Sequence, residues 1–265
     1  MTGLGSEAME AEFDTVAGWT EEAVRALGPE YAVPAGCRGS GSEGALRWLA
    51  DRLELGPGTR MLDSGAGVGG PAGWLAAERG LRPFCAEPMA SAVRASRRLF
   101  GLPSVVAIGQ QLPFADDAVD AAWCLGVLCT TSDKAGALGE LRRVLTDRGR
   151  LGLLVFVADR PLPPPLFVGD DPQPAPLPDG NEFPSEAELR GLLAEAGFAL
   201  GETTDVDLGD SPAVWSERAD AVAAEIARRH GNDPAFRQAE ENSSRVGRLL
   251  SDGDLRAWLG VATAV

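Results

Sequence analysis

The sequence predicts an α/β fold: a mostly parallel sheet with helices on both faces. Short apolar segments typical of strands alternate with helical segments between residues 59 and 158, which indicates parallel strands joined by right-handed crossovers. Three of these segments, at 59–64, 118–126 and 150–158, are almost continuously apolar, as in a sheet covered on both faces. A chain of 265 residues that is 45% hydrophobic can also bury the core that such a sheet needs.

The N-terminal segment predicts two helices before the first strand. Residues 8–28 place apolar side chains at helical spacing. After the glycine-rich connection at 36–44, Ser42 can cap a second helix, which ends at 56–58. We therefore expect a helical N-terminal part that precedes the sheet.

The central segments predict five strands and the helices between them. Pro71 suits the first turn of the first of these helices, and Gly80 suits its end. The predicted strands are 59–64, 82–87, 104–108, one within 118–126, and 150–158, and the other two helices span about 90–100 and the residues after a cap near Thr131 or Ser132.

The C-terminal third begins with a segment that cannot continue this pattern. Residues 161–184 contain nine prolines, which exclude a helix or a central strand. Ser185 and Glu188 then have the spacing of a capping box, and Gly197 suits the end of that helix. The remaining predictions are strands within 198–208 and 255–265 and helices at about 213–230 and 234–250.

Composition excludes several classes of partner. A net charge of −15 disfavours nucleic acid. No apolar run is long enough to cross a membrane and no secretion signal opens the sequence, so we expect a cytoplasmic protein without a membrane partner. The four cysteines lack metal-ligand spacing, so we expect buried free thiols and no metal site.

The stretch MLDSGAGVGG, residues 61–70, contains four glycines directly after the first strand. In an open parallel sheet this turn lies at the edge where ligands bind. Glycines would let a ligand approach the backbone, and the following helix adds free N–H donors. We therefore interpret Gly65, Gly67, Gly69 and Gly70 as a ligand-binding loop, with a tight turn that binds nothing as the alternative.

Two carboxylates flank this loop and narrow the choice of ligand. Asp63 precedes it, where a carboxylate would repel a pyrophosphate but would suit an ammonium group. Glu87 closes the second strand, where an acid can accept hydrogen bonds from both ribose hydroxyls. The spacing of Gly65, Gly67 and Gly70 also satisfies the dinucleotide fingerprint, so an NAD-dependent oxidoreductase stays an alternative.

Four segments together resemble a known family. LDSGAGVGG (62–70), CAEPM (85–89), LPFADDAVDAAWCLGVL (112–128) and ELRRVLTDRGRL (140–151) are similar in order and spacing to class I S-adenosylmethionine-dependent methyltransferases of the ubiquinone-biosynthesis type (methyltransferase type 11). GGPA, at 69–72, resembles members that methylate small molecules such as secondary metabolites. The resemblance covers residues 57–200 and implies a Rossmann-like, seven-stranded, mostly parallel sheet whose last strand is antiparallel.

The resemblance also implies a cofactor and the residues that hold it. S-adenosylmethionine would bind here and leave as S-adenosylhomocysteine. The implied contacts are Asp63, Gly65, Ala66, Gly67 and Gly69 for the methionine part, Glu87 for the ribose, Pro88, Met89, Gln110, Gln111 and Leu112 around the adenine, and Leu125 at the pocket floor.

The chain departs from the family pattern at three places. The aspartate that often precedes LPF is absent from residues 108–111, so a glutamine amide or the backbone must serve the adenine. Cys129 stands where a histidine is frequent, and residues 147–149 replace the usual proline–glycine pair.

On this reading residues 1–265 form one methyltransferase domain with distinct parts. We expect an N-terminal helical cap at 1–56, a cofactor-binding core at 57–158, a proline-rich lid loop at 159–184, and the C-terminal part of the sheet at 185–265, with a helical insertion at 213–250.

The methyl group of the cofactor is already electrophilic, so catalysis needs alignment first and a base only for a neutral hydroxyl. His230, the single histidine, is the candidate base, although a solvated histidine at a helix end is the alternative. Arg38 could bind a carboxylate. Candidate residues of the acceptor pocket are Trp19, Tyr31, Cys129, Trp215 and Phe167, each of which could instead be core.

The leading prediction is methyl transfer by in-line displacement to a small-molecule acceptor, which we expect to be a secondary metabolite. We expect a monomer or a homodimer. The alternatives are cyclisation of a metabolite with the cofactor retained, the NAD-dependent oxidoreductase, and a regulatory module that binds the cofactor without catalysis.

Overall fold

The computed structural model describes residues 4–37, 39–160, 162 and 182–265, with side chains from residue 11 onward. Arg38, Phe167 and most of the proline-rich lid loop therefore lie outside the described residues. In chain order the elements are α1 (Leu4–Leu27), a 3-10 turn (Pro29–Tyr31), α2 (Ala32–Gly36), α3 (Glu43–Arg52), β1 (Met61–Ser64), α4 (Gly70–Arg79), β2 (Phe84–Glu87), α5 (Ala90–Phe100), β3 (Ser104–Val106), β4 (Val119–Leu125), α6 (Lys134–Val144), β5 (Leu145–Val157), α7 (Glu186–Glu195), β6 (Phe198–Asp205), α8 (Ala213–His230), α9 (Pro234–Ser251) and β7 (Arg256–Ala264).

The sheet has the predicted class and one reversed strand. Its order is β3-β2-β1-β4-β5-β7-β6. β7 runs antiparallel to both β5 and β6, while the other neighbours pair in parallel. The carboxyl ends of β1, β2, β4 and β5 consequently share one edge of the sheet. The predicted α/β class and the reversed last strand are confirmed.

Two hydrophobic layers cover the sheet because its central strands are apolar on both sides. On one face, Leu138 and Leu141 of α6 and Leu189 of α7 pack in a buried cluster with β4 and β5. On the other face, Leu46 and Leu49 of α3 pack in a second cluster that reaches α4 and β7. This division confirms the sheet with helices on both faces.

The helix boundaries depend on capping side chains. Ser42 accepts a hydrogen bond from the N–H of Ala45, and Ser185 accepts one from Glu188, as the sequence predicts. The predicted cap of α6 near Thr131 or Ser132 is wrong, because the carboxylate of Asp133 accepts the N–H of Gly136 at 2.9 Å. Aspartate caps a helix as well as serine or threonine does. Residue type alone therefore could not show which of residues 131–133 is the cap.

Two strand boundaries also differ from the sequence prediction. β5 begins at Leu145, directly after α6, because that residue pairs with Val119 across a register shift in the ladder. β3 ends at Val106, two residues short of the predicted end, because its ladder with β2 stops where Glu87 pairs with Val106. Within the described part of the chain, no helix is both long and apolar enough to span a membrane.

A third layer of helices lies beside the shared edge of the sheet. α1 packs against α5 and α8, and the short helix α2 packs against α4 and α8. Trp19 and Val24 of α1 share a buried cluster with Val222 and Ile226 of α8. The N-terminal and C-terminal helices thus form one assembly, which encloses the space above β4 and β5.

Candidate functional site

The glycine loop between β1 and α4 has one position that faces open space. Gly65, Gly67 and Gly69 have positive φ angles of 77°, 53° and 90°, which favour glycine. A Cβ on Gly65 would lie 2.2 Å from Val127, and one on Gly69 would lie 2.6 Å from Ser96. A Cβ on Gly67 would meet nothing within 4 Å. A ligand could therefore approach the backbone directly at Gly67. Gly65 and Gly69 lack space for a side chain because neighbouring protein atoms already fill it.

Asp63 is a buried carboxylate with an unused oxygen. Only 1% of the residue is exposed, and its Oδ2 has no hydrogen-bond partner among the described atoms. Burial raises its pKa to about 7, and the nearby charge of Glu87 acts in the same direction, whereas the Trp123 indole and the Ala72 N–H lower the pKa. An orphaned buried acceptor of this kind is suited to a cationic or hydrogen-bond-donating ligand.

Glu87 connects the end of β2 to the glycine loop. Only 3% of the residue is exposed. Its Oε2 accepts the N–H of Gly67 at 2.8 Å, and its Oε1 accepts the N–H of Met89 at 3.1 Å. Burial raises the pKa of Glu87, these two N–H groups lower it, and the charge of Asp14 raises it. Each carboxylate oxygen can accept a further hydrogen bond, so two ribose hydroxyls could still be bound.

The other residues predicted for the cofactor surround this pair, although some side chains point elsewhere. Met89 packs beside Val68 and Ala17. Ala66 is buried against Ala72 in the protein interior. Leu112 and Leu125 are buried, and Pro88 and Gln111 follow the strand ends β2 and β3 in the chain.

Gln110, the residue proposed to replace the missing aspartate at the adenine, already has partners. Its Nε2 donates to Thr131 Oγ1 at 2.7 Å and to the carbonyl oxygen of Asp133 at 3.2 Å. The amide is thus engaged by the loop that precedes α6. In this conformation, the backbone of 108–111 and the side-chain amide of Gln111 are the groups that remain for adenine recognition.

A cavity of about 390 Å³ lies between α2, α8 and the end of β5. This volume falls within the range of roughly 300–1,000 Å³ typical of small-molecule sites. Its walls combine apolar side chains with hydroxyl groups and one carboxylate. The lining residues are Thr20, Pro34, Ala35, Cys37, Gly39, Gly41, Phe156, Leu208, Ser211, Trp215, Ser216, Ala219, Asp220, Val222, Ala223 and Ile226.

The structure describes four of the side chains predicted for the acceptor pocket. Trp215 is the one of these four that lines the cavity. Trp19 packs instead in the cluster between α1 and α8. Tyr31 lies under the guanidinium of Arg218, 6.0 Å from ring centroid to Cζ. Cys129 is buried in the core, where its thiol donates to the carbonyl oxygen of Gly126. Trp19, Tyr31 and Cys129 thus pack against other parts of the protein. The sequence analysis had kept a place in the core as the alternative for each of them.

His230 also lies outside the cavity lining. Its ring stacks on Trp19 with 4.5 Å between centroids, and its Nε2 lies 3.7 Å from a carboxylate oxygen of Glu22. The stacking results from the end of α8 packing against α1. The placement disagrees with a role as catalytic base and favours a structural role.

Cys37 joins the cavity to the carboxylate site. Its residue lines the cavity, and its backbone packs against the glycine loop: a Cβ on Gly70 would lie 2.6 Å from the backbone nitrogen of Cys37. Burial raises the pKa of its thiol, and the charge of Asp63 acts in the same direction. The cavity and the glycine loop that follows Asp63 are therefore neighbours.

Sequence reasoning missed α2 and the small residues that create the cavity. The helix α2 has five residues, too few for an amphipathic pattern to be visible. On α8, Trp215, Val222 and Ile226 were recognised as an apolar face, but the alanines among them gave no separate signal. The alanines lie three or four residues from these apolar side chains. That spacing could have shown that they share the helix face that lines the cavity.

Residues 62–153 match the sequence profile of the family described as "methyltransferase domain". This range runs from β1 to β5 and contains Asp63, the glycine loop and Glu87. These residues carry a class I S-adenosylmethionine-dependent methyltransferase domain. The resemblance stated from the sequence motifs is thus confirmed, and the match decides against the NAD-dependent oxidoreductase.

Two curated relatives resemble this methyltransferase domain in sequence. Methyltransferase GfsG of Streptomyces halstedii is 33% identical over 112 residues, which are 40% of each chain. O-methyltransferase resE of Aspergillus sclerotiorum is 29% identical over 174 residues, which are 62% of this chain and 64% of the relative. The aligned part thus spans less than two thirds of the length of either relative.

Solved structures confirm the fold over a larger part of the chain. The [4+2]-cyclase SpnF superposes with a TM-score of 0.70 at 24% identity and covers 98% of this chain and 96% of its own. Geranyl diphosphate C-methyltransferase from Streptomyces coelicolor A3(2), solved with S-adenosyl-L-homocysteine, gives a TM-score of 0.58 at 18% identity and covers 84% of this chain and 77% of its own. At these identities the likeness concerns the fold.

Proposed function

We propose that this protein transfers the methyl group of S-adenosylmethionine to a small-molecule acceptor bound in the cavity between α2 and α8. The observation that carries this proposal is the contiguity of the two sites. Cys37 lines the cavity, and its backbone packs against Gly70 of the glycine loop, so an acceptor in the cavity would face a cofactor held at the end of β1. The curated relatives are named as methyltransferases, which agrees with this chemistry.

The cofactor residues follow from the polar groups that the protein leaves unsatisfied. The orphaned Oδ2 of Asp63 would accept a hydrogen bond from the ammonium group of the methionine part. Glu87 would accept the ribose hydroxyls while it keeps its bonds to Gly67 and Met89. The open space at Gly67 would admit the ligand against the backbone. The backbone of Gly65, Ala66, Gly69 and Gln110 would complete this proposed surface, together with Pro88, Gln111, Leu112 and Leu125.

When bound, the cofactor supplies a methyl group that a nucleophile can displace directly from sulfur. The protein then has three tasks: to hold the acceptor in line, to exclude water, and to remove a proton where the acceptor is neutral. Alignment of this kind supplies on the order of 7–11 kcal/mol in well-oriented cases. The aromatic side chains of Phe156 and Trp215 line the cavity and would shield a bound acceptor from water.

Two experiments test the proposal. Calorimetric titration of the full chain with S-adenosylhomocysteine, S-adenosylmethionine and NAD should show binding of the first two and not of NAD. Incubation with a cell extract and methyl-labelled donor should transfer label to a small molecule. Binding of NAD in preference to the adenosyl ligands would overturn the proposal.

Cyclisation with the cofactor retained is the second candidate. It is favoured by the scarcity of bases at the cavity, since Asp220 is the one titratable carboxyl group among the described lining residues and His230 is elsewhere. The structure of the cyclase SpnF also aligns along nearly the whole chain, including the helical layers, although this likeness concerns fold alone. Mass spectrometry separates the candidates, because methylation adds one methyl group whereas cyclisation leaves the mass unchanged.

A further inference from the structure

We propose that the acceptor cavity selects by charge: it admits neutral and cationic molecules and rejects carboxylates and phosphates, with Asp220 as the selecting residue. This inference rests on the proposed function for the identity of the cavity as the acceptor site. It adds the substrate class and a specificity-determining residue.

The cavity exists because small residues face one another across it. Ala35, Gly39 and Gly41 form one side, and Ala219 and Ala223 of α8 form the other. Residues four apart on a helix share a face, so the two alanines of α8 open a continuous groove. A molecule bound there would be surrounded by side chains that have no charge over most of its length.

Asp220 is the exception in this wall. It lies one residue after Ala219, and it is the one charged side chain among the described residues that line the cavity. The residue is exposed at the cavity rim, and within the described part of the chain no ion pair or hydrogen bond joins its carboxylate to another group. Its negative charge is therefore available to whatever enters.

The hydroxyl groups in the wall do not compensate this charge. Thr20 donates its hydroxyl hydrogen to the carbonyl oxygen of Val16, and Ser211 accepts the N–H of Glu43. Neither group brings a positive charge, and Ser216 is likewise neutral.

An anionic acceptor would lose hydration in this cavity and would meet a like charge. A protonated amine would lose hydration too, but it would gain an ion pair with Asp220. A neutral hydroxyl could donate a hydrogen bond to the same carboxylate. The net charge of −15 acts in the same direction, since it repels anions from the whole surface.

The test uses three aromatic probes of similar size: tryptamine, tryptophol and indole-3-acetate. Each is titrated at pH 7.5 into the full chain, both alone and saturated with S-adenosylhomocysteine, with ligand-detected NMR as the readout. The variant Asp220→Asn removes the charge at the cavity. Glu217→Gln is the matched control, because Glu217 is an exposed carboxylate of the same helix that does not line the cavity.

We expect tryptamine to bind about fivefold more tightly than indole-3-acetate, as befits a partly exposed ion pair, with tryptophol between them. Asp220→Asn should remove most of the difference and leave the smaller part that comes from the net charge, and Glu217→Gln should preserve it. Equal or tighter binding of indole-3-acetate to the native chain would overturn the proposal, as would an unchanged preference in Asp220→Asn or failure of all three probes to bind.

Arg38 lies in the sequence between two lining residues but outside the described residues, so Arg38→Ala is included. Anion binding that disappears in Arg38→Ala would assign an anion site to this cavity and contradict the charge rule. Binding of S-adenosylhomocysteine is measured first. Its absence would overturn the proposed function, whereas the charge preference of the cavity is read independently from the titrations of the ligand-free chain.

Discussion

Gly36 of α2 and Gly70 of α4 are in direct backbone contact: a Cβ on Gly70 would lie 2.1 Å from the carbonyl carbon of Gly36. The contact joins the helix that borders the acceptor cavity to the helix that follows the glycine loop. It also explains a glycine that the sequence had assigned to ligand binding. Gly70 is required because α2 occupies the space that a side chain would fill.

Gly70→Ala should therefore displace α2 and weaken the protein. Backbone atoms cannot rotate away as a side chain can, so we expect a loss of about 1–3 kcal/mol in the free energy of unfolding. Chemical denaturation gives the value. Gly191→Ala is the control, because Gly191 is an exposed position of α7 with open space around it, where alanine should add up to about 1 kcal/mol. Equal stabilities of Gly70→Ala and the native chain would contradict the packing described.

Asp14 of α1 caps the start of α5 from another helix. Its carboxylate accepts the N–H of Ser91 at 2.7 Å and the hydroxyl of Ser91 at 2.9 Å. α5 has no capping side chain of its own. We expect Asp14→Ala to reduce the free energy of unfolding by about 1 kcal/mol, the usual value of a cap.

The same substitution should lower the pKa of Glu87, because the charge of Asp14 raises it. Ser91→Ala is the comparison: it removes the hydroxyl bonds to Asp14 and from Arg94 but keeps the backbone bond and the charge of Asp14, so it should leave the pKa of Glu87 unaffected. Carboxyl carbon shifts followed by NMR against pH report the Glu87 pKa. An unchanged Glu87 titration in Asp14→Ala would refute the coupling.

The sheet could be predicted from the sequence because its signals are local. The apolar runs of β1, β4 and β5 and the caps Ser42 and Ser185 need no knowledge of distant contacts. The carboxylates Asp63 and Glu87 were likewise placed by their position at strand ends.

The cavity could not be predicted, since it results from the packing of segments far apart in the chain. Trp215 of α8 and Cys37 beside α2 are separated by more than half of the sequence, and both line it. The position of His230 could not be predicted from the sequence for the same reason. Its residue type suggested a base, but the packing of α8 on α1 put its ring on Trp19.

Asp63 should make the ligand-free protein less stable as pH rises. Its pKa is raised to about 7 in the folded chain from 3.8. Between these values the folded protein holds a proton that the unfolded chain has released, so the contribution of Asp63 to stability is full below about pH 4 and is lost as pH rises to about 7.

Asp63→Asn removes this titration, so the difference in free energy of unfolding between variant and native chain should grow in favour of the variant from pH 4 to 7 and then stay constant. Other carboxylates titrate equally in both proteins and cancel in the difference. Urea denaturation across this pH range provides the measurement. Parallel curves for the two proteins would show that folding does not raise the pKa of Asp63 and would contradict this prediction.

His230→Ala should affect stability and leave methyl transfer intact. The ring stacks on Trp19 and does not line the cavity, so we expect a loss of about 1 kcal/mol, typical of a stacked pair. Thermal unfolding measures this loss, and transfer of labelled methyl in the cell extract measures the activity. Glu22→Gln, which alters only the 3.7 Å contact with Nε2 and keeps the stacked ring, should have a smaller effect on stability. A tenfold loss of transfer with retained folding would restore His230 to the mechanism.

Gly67→Ala should weaken binding of S-adenosylhomocysteine more than it weakens the fold. The added methyl group enters open space in the ligand-free protein, so its cost there is the left-handed backbone, about 1–2 kcal/mol. If the cofactor fills that space, the same methyl group blocks its approach, and affinity should fall about tenfold or more, equivalent to about 1.4 kcal/mol.

Gly80→Ala is the matched control for Gly67→Ala. Gly80 follows the other end of α4, has a positive φ of 66° and also faces open space. Both variants therefore carry the same kind of backbone penalty, and only Gly67 lies beside Glu87 and the loop. Calorimetric titration of the two proteins isolates the ligand effect, and equal affinities in both would place the cofactor away from the one open glycine of this loop.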